Sequence, residues 1–305
     1  MIQFRRFAKR FGTQCAVAEL DVRIEAGEIV ALLGPNGSGK TTSLKAAAGL
    51  VRPTSGDVLV GHPLRSASDP RARAACSFLP QKVAFPEALT GREVLDFYRE
   101  LRGVARGRTD EVLRFASLNG ASMRAVGTYS GGMTQRLGLA VAILPDAPVL
   151  LLDEPTAALD PDGLSAFYTL VEQRRSEGRT VLFTSHQLGD VERLADRSLV
   201  LIDGRLAAAF TQEELAERLA DRGVMRLRLG ACPEGLVERV QAIAPGTSWN
   251  AAHAELVVPG AASRRPAVLD LVRDLGGDIR GLTAEEERLD VFYRELVSGS
   301  LQGRA

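Results

Sequence analysis

Short, unbroken apolar runs alternate with stretches of helical spacing over the first two thirds of the chain. Residues 29–33 and 149–152 are aliphatic throughout, and 181–184 continues in the same manner as Val-Leu-Phe-Thr. Runs of that kind predict parallel strands covered on both faces by helices. Residues 22–24 form a further extended segment, separated from the run at 29–33 by the turn Ala26-Gly27-Glu28. Leu44, Ala47 and Ala48 give a helix one apolar side until Gly49, and Pro53-Thr54-Ser55-Gly56 turns the chain into a strand over 57–60. Val94, Leu95, Tyr98 and Leu101 recur at helix spacing, and Leu113 with Ala116 continues the pattern. This predicts a helical insertion over about 88–140. Another helix is expected around 164–175, and the alternation as a whole reads as an α/β core.

Beyond a helical stretch at 212–219 the composition changes at Arg222-Gly223. Strand, helix, strand, helix, strand and helix are expected at 225–229, 236–244, 255–258, 267–275, 279–282 and 289–296. The chain therefore divides into a larger α/β domain over 1–220 and a small α+β domain over 221–305. The acidic run Glu285-Glu286-Glu287 reads as solvated surface.

Charge and cysteine usage narrow the class. Lysine plus arginine and aspartate plus glutamate number 38 each in 305 residues, so no basic field favours nucleic acid as a partner. The start Met1-Ile2-Gln3-Phe4-Arg5-Arg6 carries no apolar signal, and the apolar runs are too short to span a bilayer, which predicts a cytoplasmic chain. Cys15, Cys76 and Cys232 have no metal-ligand spacing and read as reduced, buried thiols.

Candidate chemistry begins where the first apolar run ends. Gly34-Pro35-Asn36-Gly37-Ser38-Gly39-Lys40-Thr41 has the spacing of a P-loop between a strand and a helix. Its glycines let successive N–H groups point at phosphate oxygens, Lys40 supplies charge, and Thr41 supplies a hydroxyl for Mg²⁺, with Thr42 following. A helix dipole offers an exposed anion only about 0.3–1 kcal/mol. Lysine, amides and Mg²⁺ must therefore share the binding of ATP or GTP.

The run at 149–152 ends in Asp153-Glu154, which puts two carboxylates at the edge where open α/β sheets bind ligands. Asp153 is the candidate metal ligand and Glu154, one residue on, the candidate orienter of water at the γ-phosphate. His186, at the end of the run containing 181–184, is placed to bond the γ-phosphate or the attacking water. Tyr129-Ser130-Gly131-Gly132-Met133-Thr134-Gln135-Arg136 opens a second helix with a glycine pair, offering amides to phosphate. One nucleotide already occupies the P-loop, so this second turn makes sense as a contact to the ATP of another copy, in a head-to-tail pair.

In the order P-loop, Gln81, Ser130-Gly131-Gly132, Asp153-Glu154, Ala158-Leu159-Asp160 and His186, the chain resembles the ATP-binding-cassette superfamily over residues 1–215. The resemblance implies a P-loop NTPase cassette with a helical insertion and a small C-terminal domain, working as a homodimer under a separate transmembrane permease. It also implies that Gln81 senses the metal and γ-phosphate, and that Asp160 lies in a loop crossing the dimer interface. Asp160 also reads as an N-cap before Pro161. Phe11 falls near the position where these ATPases stack an aromatic ring on adenine, and reads equally as a core residue. Met133 stands where the signature more commonly has glutamine.

Residues 79–85, 89–93, 129–133 and 289–293 resemble the NosF-like branch. That branch supports copper-site maturation of nitrous oxide reductase, and the resemblance implies a periplasmic copper-site assembly factor as a more distant partner. Similar short motifs occur among drug and small-molecule exporters. A soluble cassette ATPase and a nucleotide-sensing regulator are the alternatives outside transport. Intact Lys40, Asp153, Glu154 and His186 argue against a silent regulator.

Overall fold

The computed structural model describes residues 1–260 and 262–302. Two compact units make up the chain, Met1–Phe210 and Thr211–Ala305.

The first unit runs β1 (Ile2–Phe11), β2 (Gln14–Ile24), β3 (Ile29–Leu33), α1 (Lys40–Ala47), β4 (Ser55–Val60), β5 (Arg65–Ser66), α2 (Pro70–Ala74) and β6 (Cys76–Leu79). It continues with α3 (Gly91–Leu101), α4 (Arg108–Phe115), α5 (Gly131–Ile143), β7 (Val149–Asp153), α6 (Pro161–Ser176), β8 (Thr180–Thr184), α7 (Leu188–Leu194), β9 (Arg197–Ile202) and β10 (Arg205–Thr211). The strands form one sheet in the order β5-β4-β1-β2-β10-β9-β3-β8-β7-β6. β1, β2, β4 and β5 pair antiparallel, whereas β9, β3, β8, β7 and β6 pair parallel.

Every residue of β3, β7 and β8 is buried, which is why these strands read as continuous apolar runs. β1 contributes Ile2, Phe4 and Phe7 to a core that also holds Leu44 of α1, Leu151 of β7, Leu182 of β8 and Leu201 of β9. The helix starts are chemically fixed. Thr90 and Glu93 form a capping box on α3, and Asp160 caps α6 ahead of Pro161.

The second unit contains α8 (Gln212–Asp221), β11 (Val224–Leu229), α9 (Leu236–Ile243), β12 (Ser248–Asn250), β13 (Glu255–Pro259), α10 (Arg265–Asp274), β14 (Ile279–Glu285) and α11 (Leu289–Gln302). Its antiparallel sheet has the order β12-β13-β11-β14. A β-α-β-β-α-β succession with that order is the ferredoxin-like split βαβ arrangement. Met225, Leu227, Leu229, Leu256 and Val258 alternate onto one face, where Leu236, Val240, Val268 and Val272 of α9 and α10 cover them.

Three expectations are corrected. Only Cys76 is a buried thiol, pushed up to about 12 by burial, whereas Cys15 and Cys232 are exposed. Within the acidic run, Glu287 is not solvated surface: its side chain is 15% exposed and pairs with Arg222 at 3.2 Å. The helix α8, expected in the first domain, belongs to the second unit.

Candidate functional site

The end of β3 passes through Gly34–Gly39 into α1, and three glycines make that path possible. Gly34, Gly37 and Gly39 have φ of 150°, 83° and 101°. A Cβ at Gly34 would sit 2.2 Å from the Leu201 carbonyl oxygen, and one at Gly39 would sit 2.6 Å from that of Ala16. The loop therefore tolerates no side chain at either position. Beside it lies a cavity of about 330 Å³. Phe11, Asn36, Gly37, Ser38, Gly39, Lys40, Thr41, Thr42, Gln81 and Glu154 all line it, joined by Gln14 and Ala16 of β2.

Lys40 is buried, and its Nζ donates to the carbonyl oxygens of Gly34 at 2.7 Å and Pro35 at 3.1 Å. Burial lowers its pKa from the ordinary lysine value, against the nearby charges of Glu154 and Asp153, which act to raise it. Phe11 is 50% exposed, with Lys9 Nζ 4.8 Å over its ring. Of the two expectations for Phe11, a core residue is excluded, and an open ring face beside the cavity is what the fold provides.

The carboxylates occupy the end of β7. Asp153 is 1% exposed. Its Oδ1 accepts from Thr41 Oγ1 at 3.2 Å and from Thr184 Oγ1 at 2.8 Å, while its Oδ2 has no hydrogen-bond partner among the described residues. Burying half of a carboxylate unpartnered is costly, and a cation at that oxygen would remove the cost. Thr184 is a residue the motif reading passed over. It sits opposite Asp153 in the parallel β7–β8 register, and its hydroxyl also accepts from the Glu154 N–H at 2.8 Å. Glu154 adopts a left-handed φ of 51°, and its Oε1 lies 2.8 Å from His186 Nε2. The strand register supplied this pairing of Thr184 with both acids, and no sequence motif encodes it.

Ser130, Gly131, Gly132 and Asp160 do not line the cavity. Ser130 caps α5 by accepting from the Met133 N–H at 3.2 Å. Gly132 lies against the next loop, where an added Cβ would be 3.1 Å from the Ala158 carbonyl oxygen. Asp160 accepts from the Gly163 N–H at 3.0 Å and pairs with Arg136 of α5 at 3.6 Å. Gln135 of α5 donates to the Pro155 carbonyl at 3.3 Å. The loop from Pro155 to Asp160 is thus held by α5 at both ends.

Residues 17–157 match the family described as ABC transporter. The linearmycin resistance ATP-binding protein LnrL of Bacillus subtilis is 28% identical over 310 residues, covering 99% of this chain and 100% of the relative. The Nod factor export ATP-binding protein I of Burkholderia lata is 36% identical over 251 residues, covering 81% of this chain and 82% of the relative. Among solved structures, the dimeric bacterial ABC transporter cassette MJ0796 superposes with a TM-score of 0.64 at 26% identity, over 70% of this chain and 99% of that one. With a P-loop cavity, an acid pair at the end of a parallel strand and relatives of this identity over most of their length, the chain belongs to the ABC transporter ATPases, as an ATP-binding subunit that hydrolyses ATP.

Proposed function

We propose that two copies of this chain close on ATP, each nucleotide lying between the P-loop of one copy and the Ser130-Gly131-Gly132 turn of the other, and that hydrolysis drives a separate permease. The reading rests on one observation above the rest. Glu154 lines the same cavity as Lys40, and its carboxylate lies 2.8 Å from His186 Nε2, so a base and a cation share one space with an imidazole directly behind the base.

The P-loop amides and Lys40 bind the phosphates, which requires Lys40 to leave the carbonyls of Gly34 and Pro35. Phe11 offers its exposed face to adenine. Thr41 and Asp153 would hold Mg²⁺, with Gln81 at the same cavity, and the unpartnered Asp153 Oδ2 fits that role. When bound, the ion neutralises phosphate charge. Glu154 accepts a hydrogen bond from water at the γ-phosphate, while His186 orients the Glu154 carboxylate and bonds the phosphate. Ser130, Gly131 and Gly132 lie outside the cavity at the start of α5, and in this reading the turn offers its amides to the partner copy's nucleotide.

No helix among the described residues is long and apolar enough to cross a membrane. A transmembrane permease, holding this chain at the inner face of the cell membrane, is the partner that connects hydrolysis to transport. For the cargo, the relatives named above carry resistance and export in their names, which supports outward movement of a small molecule. The NosF-like reading, with its copper-site assembly factor, rests on four short motifs and ranks second.

Glu154→Gln tests the mechanism. Steady-state turnover is expected to fall by about two to three orders of magnitude, because the amide cannot accept a proton as the carboxylate does, while ATP binding and ATP-dependent pairing persist. Unchanged turnover removes Glu154 from the role.

A further inference from the structure

Behind the acid pair, outside the cavity, lies a buried carboxylate that none of these roles uses. Asp190 of α7 is 2% exposed. It accepts from Thr156 Oγ1 at 2.7 Å and Tyr168 OH at 2.6 Å, and lies 3.3 Å from Ser185 Oγ, whose one proton is shared between Asp190 and the Gln187 carbonyl oxygen at 3.1 Å. It forms no ion pair among the described residues. The guanidinium of Arg193 sits instead over the Tyr168 ring, 4.1 Å from its centroid. Asp190 lies in the first turn of α7, yet its carboxylate caps no α7 amide.

A buried carboxylate served only by hydroxyls is a poor device for stability, since an apolar side chain would fill the space without desolvating a charge. The identity of the three donors points elsewhere. Thr156 lies two residues after Glu154 on the loop leaving β7, Ser185 immediately precedes His186, and Tyr168 anchors the cluster to α6. The main chains of both members of the Glu154–His186 pair are therefore tied, within two residues, to one carboxylate. Glu154 also needs such support, because a left-handed backbone at a residue other than glycine persists only where its surroundings over-determine it. Thr184 holds the amide of Glu154, and Thr156 through Asp190 holds the chain that follows.

We propose that Asp190 is a positioning residue for hydrolysis, setting the separation of Glu154 and His186 by clamping the two loops that carry them. This rests on the reading of Glu154 given above. Removing the clamp lets the 2.8 Å contact between Glu154 and His186 widen, while the P-loop, which Asp190 does not touch, keeps its hold on nucleotide.

The test is turnover at saturating ATP, together with equilibrium ATP affinity, for the full-length chain carrying Asp190→Ala, Asp190→Asn, Thr156→Val or Tyr168→Phe, with Glu154→Gln alongside. Asp190→Ala is expected to lower kcat about tenfold or more while changing the ATP Kd by no more than about twofold. Asp190→Asn retains one acceptor oxygen and is expected to recover part of that loss. Thr156→Val added to Asp190→Ala is expected to cost nothing further, as two members of one linkage do. Should Asp190→Ala fail to fold, Thr156→Val alone decides, with a several-fold fall in kcat at unchanged Kd expected. Full kcat in the Asp190 and Thr156 variants, or parallel losses of kcat, affinity and folded fraction, overturns the positioning role. If those variants keep full kcat while Glu154→Gln loses turnover, only the positioning role fails. Unchanged turnover in Glu154→Gln overturns the underlying reading as well.

Discussion

Thr184 shows how one hydroxyl can serve two acids. It donates to Asp153 Oδ1 and accepts from the Glu154 N–H, so the side chain that keeps the Asp153 carboxylate in place also fixes the backbone of the neighbouring acid. Thr184→Val keeps the shape, removes one of the two donors to Asp153 and leaves the Glu154 amide unpaired. An unmet buried polar group costs about 1–3 kcal/mol. Turnover is expected to fall by roughly one to two orders of magnitude, with ATP affinity reduced much less, as equilibrium binding and steady-state hydrolysis will show. The motif residues Lys40, Asp153, Glu154 and His186 were legible because phosphate and metal chemistry restricts residue type and spacing. Thr184 was not, because its partners are set by the register of two parallel strands 30 residues or more apart in sequence. Phe11 was ambiguous for a related reason: an aromatic side chain suits a core and a ligand face equally, and only its exposure separates them.

Among the elements, β3, β7 and β8 were readable as fully buried strands, and the start of α6 as a capped helix, because each signal is local. Phe183 of β8 is fully buried, and Phe183→Ala is expected to cost about 3–5 kcal/mol, seen as a lower urea midpoint at unchanged slope. A cost below 1 kcal/mol would mean that β8 is not a core strand. β9 and β10 went unread. β9 is as buried as β8 beyond its first residue, but β10 is largely exposed along its length and lacks an apolar run to announce it. The loop between β7 and α6 acquires its shape from α5, through Gln135 to Pro155 and Arg136 to Asp160. Neither link follows from a helix or strand period.

At the scale of the molecule, the proposed pairing of two copies makes a quantitative statement about mixtures. In a pair formed from one Lys40→Ala chain and one Ser130→Phe chain, a single site collects both lesions and the other is intact. Each variant alone is expected to hydrolyse little ATP, whereas an equal mixture is expected to recover roughly a quarter of wild-type turnover, since half of the pairs then hold one good site. A mixture no better than its components would show that Ser130 and Lys40 do not serve a common nucleotide across two copies. The second unit brings its own apolar core, with Met225, Leu227 and Leu256 of its sheet under α9 and α10. Its start was expected near residue 221 but falls at Thr211, because an amphipathic helix such as α8 announces its apolar face without saying which neighbour covers it.

Sequence alone determined the nucleotide chemistry, the parallel character of the central strands and the presence of a small α+β unit, because phosphate cradles and apolar runs are short-range patterns. Tertiary structure decided that Thr184 joins the two acids, that Asp190 gathers Thr156, Tyr168 and Ser185, and that Phe11 faces solvent beside the cavity. These are meetings of distant segments, and hydrogen bonds of that kind depend on strand order and register, which no local spacing encodes.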